Sequence, residues 1–158
     1  MVVEELRARP DVPVDDTWDL SAIYPTREVW EAAIDETRAD LPKLTALQGT
    51  LGDGPSKLLE GLRLEDSIGE RLMRVYSYAG LKKDEDNTNA QAVADHDRAL
   101  GLSVEAGQAA AFFEPELLAL PEGTVERYLA EEPELAHYHH ALENLLRQRD
   151  HVLSAEQE

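Results

Sequence analysis

Four of the five histidines fall close together near the end of the chain: His137, His139, His140 and His151, with His96 remote. On a helix, His137, His140 and either Glu143 or Asn144 share one face, because steps of three and four residues align there. Such a face offers the three protein ligands and one open position that a catalytic zinc ion requires. A wet helix face carrying several histidines is the plainer account, and it is preferred here. The zinc-peptidase signature His-Glu-x-x-His sets two ligands one turn apart with a base between them. It occurs nowhere in the sequence, and in His140-Ala141-Leu142-Glu143 no Glu follows the His directly.

Other chemistries find no residues to carry them. No cysteine is present, which removes thiolate nucleophiles, disulfides and Cys-type zinc sites together. Ser21, Ser56, Ser67, Ser77, Ser103 and Ser154 lack the flanking glycines of a nucleophile elbow. Gly49 to Gly54 lacks the Lys-Ser or Lys-Thr of a phosphate loop. Asp84, Glu85 and Asp86 do not follow the calcium-loop pattern and read as a solvated turn, as do Asp15-Asp16 and Glu131-Glu132. Tyr76, Tyr78, Phe112 and Phe113 either line a groove or pack in a core, and core packing is the simpler account. The sequence therefore offers no catalytic, cofactor-binding or metal-binding residue.

Charge narrows the partners. Thirty-three acidic side chains face 15 basic ones, for a net charge of −18 over 158 residues. That field repels phosphate backbones and anionic membrane surfaces, so neither nucleic acid nor membrane is expected as a partner. Most of the basic residues are Arg, which leaves adaptation to a salt-rich cytoplasm open beside an ordinary acidic protein. The opening Met1-Val2-Val3-Glu4-Glu5 is not a secretory leader, and Ala109 to Phe113 is far too short to span a bilayer. A soluble, cytoplasmic protein is expected.

The elements are helical. Pro10, Pro13 and Pro25 make residues 1–25 an extended arm, with Trp18, Leu20, Ile23 and Tyr24 expected to be buried against the body. Thr26 suits a helix cap. Trp30, Ile34, Thr37, Leu41, Leu44 and Leu47 then recur at the helical period, with a kink expected at Pro42. A second helix is predicted over 56–82, and a third over 90–113 capped by Asn89. Glu114-Pro115 follows as a break or a new turn. Shorter helices are predicted over 122–131 and 134–149. Gly101 and Gly107 either admit a closely packed neighbour or lie on an exposed face. Ser154 and Gln157 form a capping-box pattern. The fold class is all-α: about five helices in an antiparallel, partly bundle-like array. Its expected divisions are an arm (1–25), a helical domain (26–153) and the start of a further helix (154–158).

The stretch Thr17-Trp18-Asp19-Leu20-Ser21-Ala22-Ile23-Tyr24-Pro25 resembles the start of oligoendopeptidase F. Tyr76-Ser77-Tyr78-Ala79 with Asp84 to Asn89, then Phe112 to Leu117, then Glu132-Pro133-Glu134-Leu135 leading to Leu142 to Arg147, and the ending His151 to Ser154 are similar to the same family. The resemblance covers residues 12 to 158 in unbroken order.

That family comprises much longer, almost wholly helical zinc metallopeptidases that cleave short peptides inside cells. The resemblance implies an amino-terminal region forming one wall of a peptide-access channel. It implies zinc in a full-length parent, polarising the scissile carbonyl and activating water with a Glu as base. None of the family's zinc-binding or catalytic residues maps onto this sequence, so no cofactor is expected in this chain alone. The implied partners are the catalytic part of the same polypeptide and, for the parent, oligopeptide substrates. Apolar faces left uncovered favour self-association. A free-standing helical interaction module is the rival reading, and a reading frame continuing past Glu158 into a His-Glu-x-x-His motif would decide against it.

Overall fold

The computed structural model describes residues 9–149. Six α-helices and five 3-10 turns account for the regular structure, and the described residues contain no strand. The α-helices are α1 (Arg27–Thr45), α2 (Pro55–Glu85), α3 (Ala90–Ala110), α4 (Phe113–Ala119), α5 (Thr124–Glu131) and α6 (His139–Leu146). An all-α fold is what the periodicity predicts. His151 and the capping-box pattern at 154–158 lie outside the described residues.

Local chemistry sets the ends of these helices. Thr26 Oγ1 accepts the amide of Val29 at 3.4 Å, and Asn89 Oδ1 accepts those of Gln91 and Ala92 at 3.0 and 3.1 Å. Both caps satisfy donors that a first turn leaves free. Pro55 opens α2, where its missing N–H costs nothing. Gly49 and Gly54, at φ +82° and +150°, turn the chain between α1 and α2 through backbone conformations that side chains resist. Pro42 lies inside α1, which continues to Thr45.

Two helices differ from expectation. Phe113 and Leu117 are buried, and the segment behind Glu114-Pro115 is a helix of its own, α4. Proline at its third position loses no internal bond, so it starts this helix instead of only ending α3. The helix predicted over 134–149 divides into a 3-10 turn (Pro133–Tyr138) and α6. Glu132 caps that turn by accepting the Glu134 amide at 3.3 Å. The steps Leu135, Tyr138, Leu142 satisfy either winding, so periodicity did not separate the two.

The chain forms two compact units, one of Met1–Arg38 with Glu70–Val104, the other of Ala39–Gly69 with Glu105–Glu158. The boundaries fall inside α1, α2 and α3.

In the first unit Trp30, Ile34, Val75, Ala99 and Leu102 are fully buried, with Leu20, Tyr24, Tyr78 and Ala79 packed among them. The Trp30 indole N–H donates to the Val75 carbonyl at 3.0 Å, so its one polar atom is satisfied in the core. Tyr24 meets Tyr78 edge to face at 5.5 Å. Pairing of Trp30 with Val75 and Glu36 with Arg71 makes α1 and α2 antiparallel. Pairing of Arg27 with Asp95 and Glu31 with Arg98 makes α1 and α3 parallel. Truncating one such large buried side chain costs about 3–5 kcal/mol.

Trp18 departs from expectation. It is 70% exposed, while Leu20 and Tyr24 on the same segment are buried. The segment is wound into 3-10 turns at Val14–Asp16 and Leu20–Ala22, which point successive side chains in different directions.

In the second unit the buried side chains include Leu44, Leu51, Leu58, Phe113, Leu117, Val125, Tyr128, Leu135 and Leu142. Here glycine makes the close approach that was one of the two readings of Gly101 and Gly107. A Cβ on Gly61 would stand 2.9 Å from both Leu51 and Phe113, and one on Gly52 would stand 2.8 Å from Leu120. Around Gly101 and Gly107 a Cβ would meet nothing within 4 Å. Those two lie on an open face and make no close packing.

Candidate functional site

His137, His139 and His140 are all exposed. His137 packs edge to face on Tyr138, and His140 Nε2 lies 3.0 Å from the Asn144 amide. Among the described residues no three His, Cys, Asp or Glu side chains come close enough to share a metal ion. The described residues thus do not fit a zinc site. His96, on α3, packs at a tilt against Tyr76, with ring centroids 5.4 Å apart, and its Nδ1 lies 3.7 Å from Asp97.

One acidic cluster has a perturbed member. Burial and the neighbouring Asp66 push the Glu65 carboxyl above its ordinary value. Tyr138, its own pKa raised by burial and by a hydrogen bond to Asp66, completes the group. Among the described residues no third His, Cys, Asp or Glu joins the two carboxylates closely enough to hold a metal, and none of the three lines the depressions described next.

Among the described residues, three of the surface depressions bear on the question of a site. One of about 610 Å³ is bounded by Thr45, Gln48 and Gly49 on one side and by Gln108, Phe112 and Glu116 on the other. Its acid is already committed: Glu116 Oε2 accepts the Gly49 amide and Oε1 the Leu51 amide, each at 2.7 Å. A second, of about 740 Å³, lies beside the Arg63–Glu134 ion pair. The third, of about 320 Å³, lies between Arg9–Trp18 and the last turn of α2. The second is lined by Ser56 and Ser67 as well as Glu60, Glu132 and Lys43, and Lys43 is paired with Asp40 at 2.7 Å.

Among the described residues, the segments that carry the family resemblance do structural work. Asp19 accepts the Ser21 amide at 3.0 Å and its hydroxyl at 2.6 Å, which tightens the turn that buries Leu20 and Tyr24. Asp86 does the same for Thr88, at 2.9 and 2.6 Å, and Asn89 then caps α3. Phe113 and Leu117 are buried, and Glu116 between them fixes the turn after α1. Glu132 caps the turn that buries Leu135. Sequence reasoning missed the Glu116 bridge and the Arg27–Asp95 pair, because both join residues far apart in the chain with no periodic signal.

Comparison with known proteins agrees with this picture. A family model described as Oligopeptidase F matches residues 116–158. Oligopeptidase PepF of Bacillus subtilis (strain 168) is 34% identical over 154 residues, 98% of this chain and 23% of the relative. Group B oligopeptidase PepB of Streptococcus agalactiae is 34% identical over 141 residues, 89% of this chain and 24% of the relative. Among solved structures, a putative peptidase from Chlamydophila abortus superposes with a TM-score of 0.85 at 30% identity, covering 96% of this chain and 26% of that one. Oligoendopeptidase-F from Enterococcus faecium gives 0.74 at 32% identity, covering 84% and 26%.

The fold and the matches define an all-helical region homologous to the amino-terminal part of peptidases. The chain belongs to the oligoendopeptidase F family. It spans about a quarter of the length of the curated relatives it matches. No helix among the described residues is long and apolar enough to cross a membrane.

Proposed function

We propose that this chain is the amino-terminal helical part of an oligoendopeptidase F-like zinc metallopeptidase, and that its role is architectural. It forms part of the wall that shapes access of short peptides to a catalytic centre supplied by other polypeptide. The observation that carries this reading is the match of nearly the whole chain to under a quarter of an oligopeptidase. Supporting it, the residues behind the resemblance are spent on caps, turns and core. Zinc bound in the rest of such an enzyme supplies a polarised carbonyl and an activated water. No step of that chemistry runs through the residues described, and the expected setting is the cytoplasm.

The test has two arms. The purified 158-residue chain, given zinc and a fluorogenic oligopeptide, is expected to show no turnover above background. A chimera in which it replaces the matching quarter of the Bacillus subtilis relative is expected to cleave that peptide and to spare a folded protein. Metal-dependent cleavage by the isolated chain, or a chimera that digests folded and short substrates alike, overturns the proposal.

We further propose that the partly uncovered face of α2 and α3, with Met73 and Tyr76 on α2 and Leu100 and Val104 on α3 exposed, meets the catalytic part of the polypeptide. In isolation the same face drives self-association.

A further inference from the structure

We propose that the groove between the amino-terminal segment and the end of α2 seats an arginine side chain from a basic protein segment, stacked on Trp18 between Asp16 and Asp84. The inference stands apart from the peptidase reading.

The groove is lined by Val12, Trp18 and Leu81 and by the charged Arg9, Asp16, Asp84 and Glu85, with Thr17 between. Its volume of about 320 Å³ suits one or two side chains and no more. Trp18 stands 70% exposed there, beside apolar neighbours. An exposed indole at the rim of an apolar groove is the type of anchor that protein interfaces use.

The charges specify the occupant. Arg9 and Lys82 both bind Glu85, at 2.9 and 3.1 Å, so that carboxylate is already shared by two cations. Asp16 and Asp84 are exposed and make no ion pair among the described residues. Among the lining residues Asp16, Asp84 and Glu85 outnumber Arg9, and the whole chain carries −18. A cation entering the groove therefore gains from the field, and an anion is turned away.

The same unit shows the chemistry completed from within. Arg98 lies 5.2 Å over the Trp30 ring while its Nη1 donates to Glu31 at 3.1 Å and Asp95 at 3.2 Å. One indole, two carboxylates and the Arg98 guanidinium form that group, and Arg27 binds the same two carboxylates. At Trp18 this chain supplies the indole and two carboxylates, and no described residue places a cation over the ring. A guanidinium fits such a place better than an ammonium, because its plane stacks on the ring while its edge still donates.

The experiment measures binding of a fluorescein-labelled Arg-Gly-Arg peptide to the full chain by anisotropy at low salt, with Glu-Gly-Glu as the matched probe. Saturable binding of the arginine peptide alone is expected. Trp18→Ala, on an exposed side chain that folding does not need, is expected to weaken it roughly tenfold. The Asp16→Asn/Asp84→Asn double variant should do likewise, while Asp35→Asn/Glu122→Gln, which removes two exposed acids elsewhere, should leave it within about twofold. Several results overturn the proposal. They are no saturable binding, equal binding of the glutamate peptide, an unchanged Kd in Trp18→Ala, or equal loss in both neutralised pairs. A Trp18 emission that shifts to the blue with protein concentration alone makes a second copy the occupant and overturns it too.

Discussion

Arg27 and Asp95 form a two-pronged pair: Nε and Nη2 of the guanidinium each donate to a separate carboxylate oxygen at 2.8 Å. The pair ties the first turn of α1 to the first turns of α3, and Gln91 and Arg98 add bonds at 3.0 and 3.2 Å. Burial works to raise the Asp95 pKa, but the hydrogen bonds from Arg27, Gln91 and Arg98 outweigh it and hold the carboxyl below its ordinary value of 3.8.

A carboxyl with a depressed folded-state pKa contributes stability that is present above its unfolded value and is lost as pH falls through the folded value. Asp95→Asn is therefore expected to lower stability at neutral pH by about 2 kcal/mol, the worth of a charged hydrogen-bonded group. The gap between wild type and variant should close as the pH falls below the ordinary carboxylate range. Urea unfolding at a series of pH values checks this, and a gap that widens in acid refutes it.

Glu116 holds the turn after α1 by accepting two backbone amides, Gly49 and Leu51. Glu116→Ala leaves those donors without their partner and is expected to cost about 2 kcal/mol. Glu116→Gln keeps one accepting oxygen and turns the other position into a donor, so it should recover at most half of the loss. Thermal unfolding of the three proteins tests the order; equal Tm values would deny the bridge any weight.

Glycine substitutions should split in sign. Gly101→Ala and Gly107→Ala meet open space in a helix and are each expected to stabilise by about 0.5–1 kcal/mol. Gly61→Ala drives a methyl against Leu51 and Phe113, and is expected to destabilise by about 1–3 kcal/mol. Denaturant midpoints measured side by side give the answer, and a stabilising Gly61→Ala would contradict the packing described.

Association of the chain should depend on the exposed apolar residues of α3. Leu100 and Val104 are 47% and 56% exposed, one helical turn apart. Sedimentation at about 0.5 M salt, where the −18 charge is screened, is expected to show concentration-dependent self-association. Leu100→Glu with Val104→Glu should abolish it. If the unsubstituted chain stays monomeric at high concentration, the prediction fails.

The helical core was legible because it is periodic. Trp30, Ile34, Thr37, Leu41, Leu44 and Leu47 repeat at steps of three and four, and all six are buried. The caps at Thr26 and Asn89 are read from single residues next to such a repeat. What sequence reasoning lost is what periodicity does not encode. Trp18 was expected inside because indoles are large and apolar, yet the 3-10 winding of its segment turns it outward. Glycines in α3 suggested close packing by composition, while the tight contacts fall on Gly52 and Gly61, whose neighbours come from distant segments. The histidines near the end of the chain were read as a solvated face, and His137, His139 and His140 are exposed. No order of residues announced that Glu116 serves backbone amides instead of a ligand.

The two compact units are threaded by three shared helices, with boundaries at 38/39, 69/70 and 104/105. Neither unit is a continuous stretch of sequence, so no single protease nick can release one of them whole. Recombination faces the same obstacle: moving one unit into another host would require simultaneous joins inside α1, α2 and α3, each in helical register.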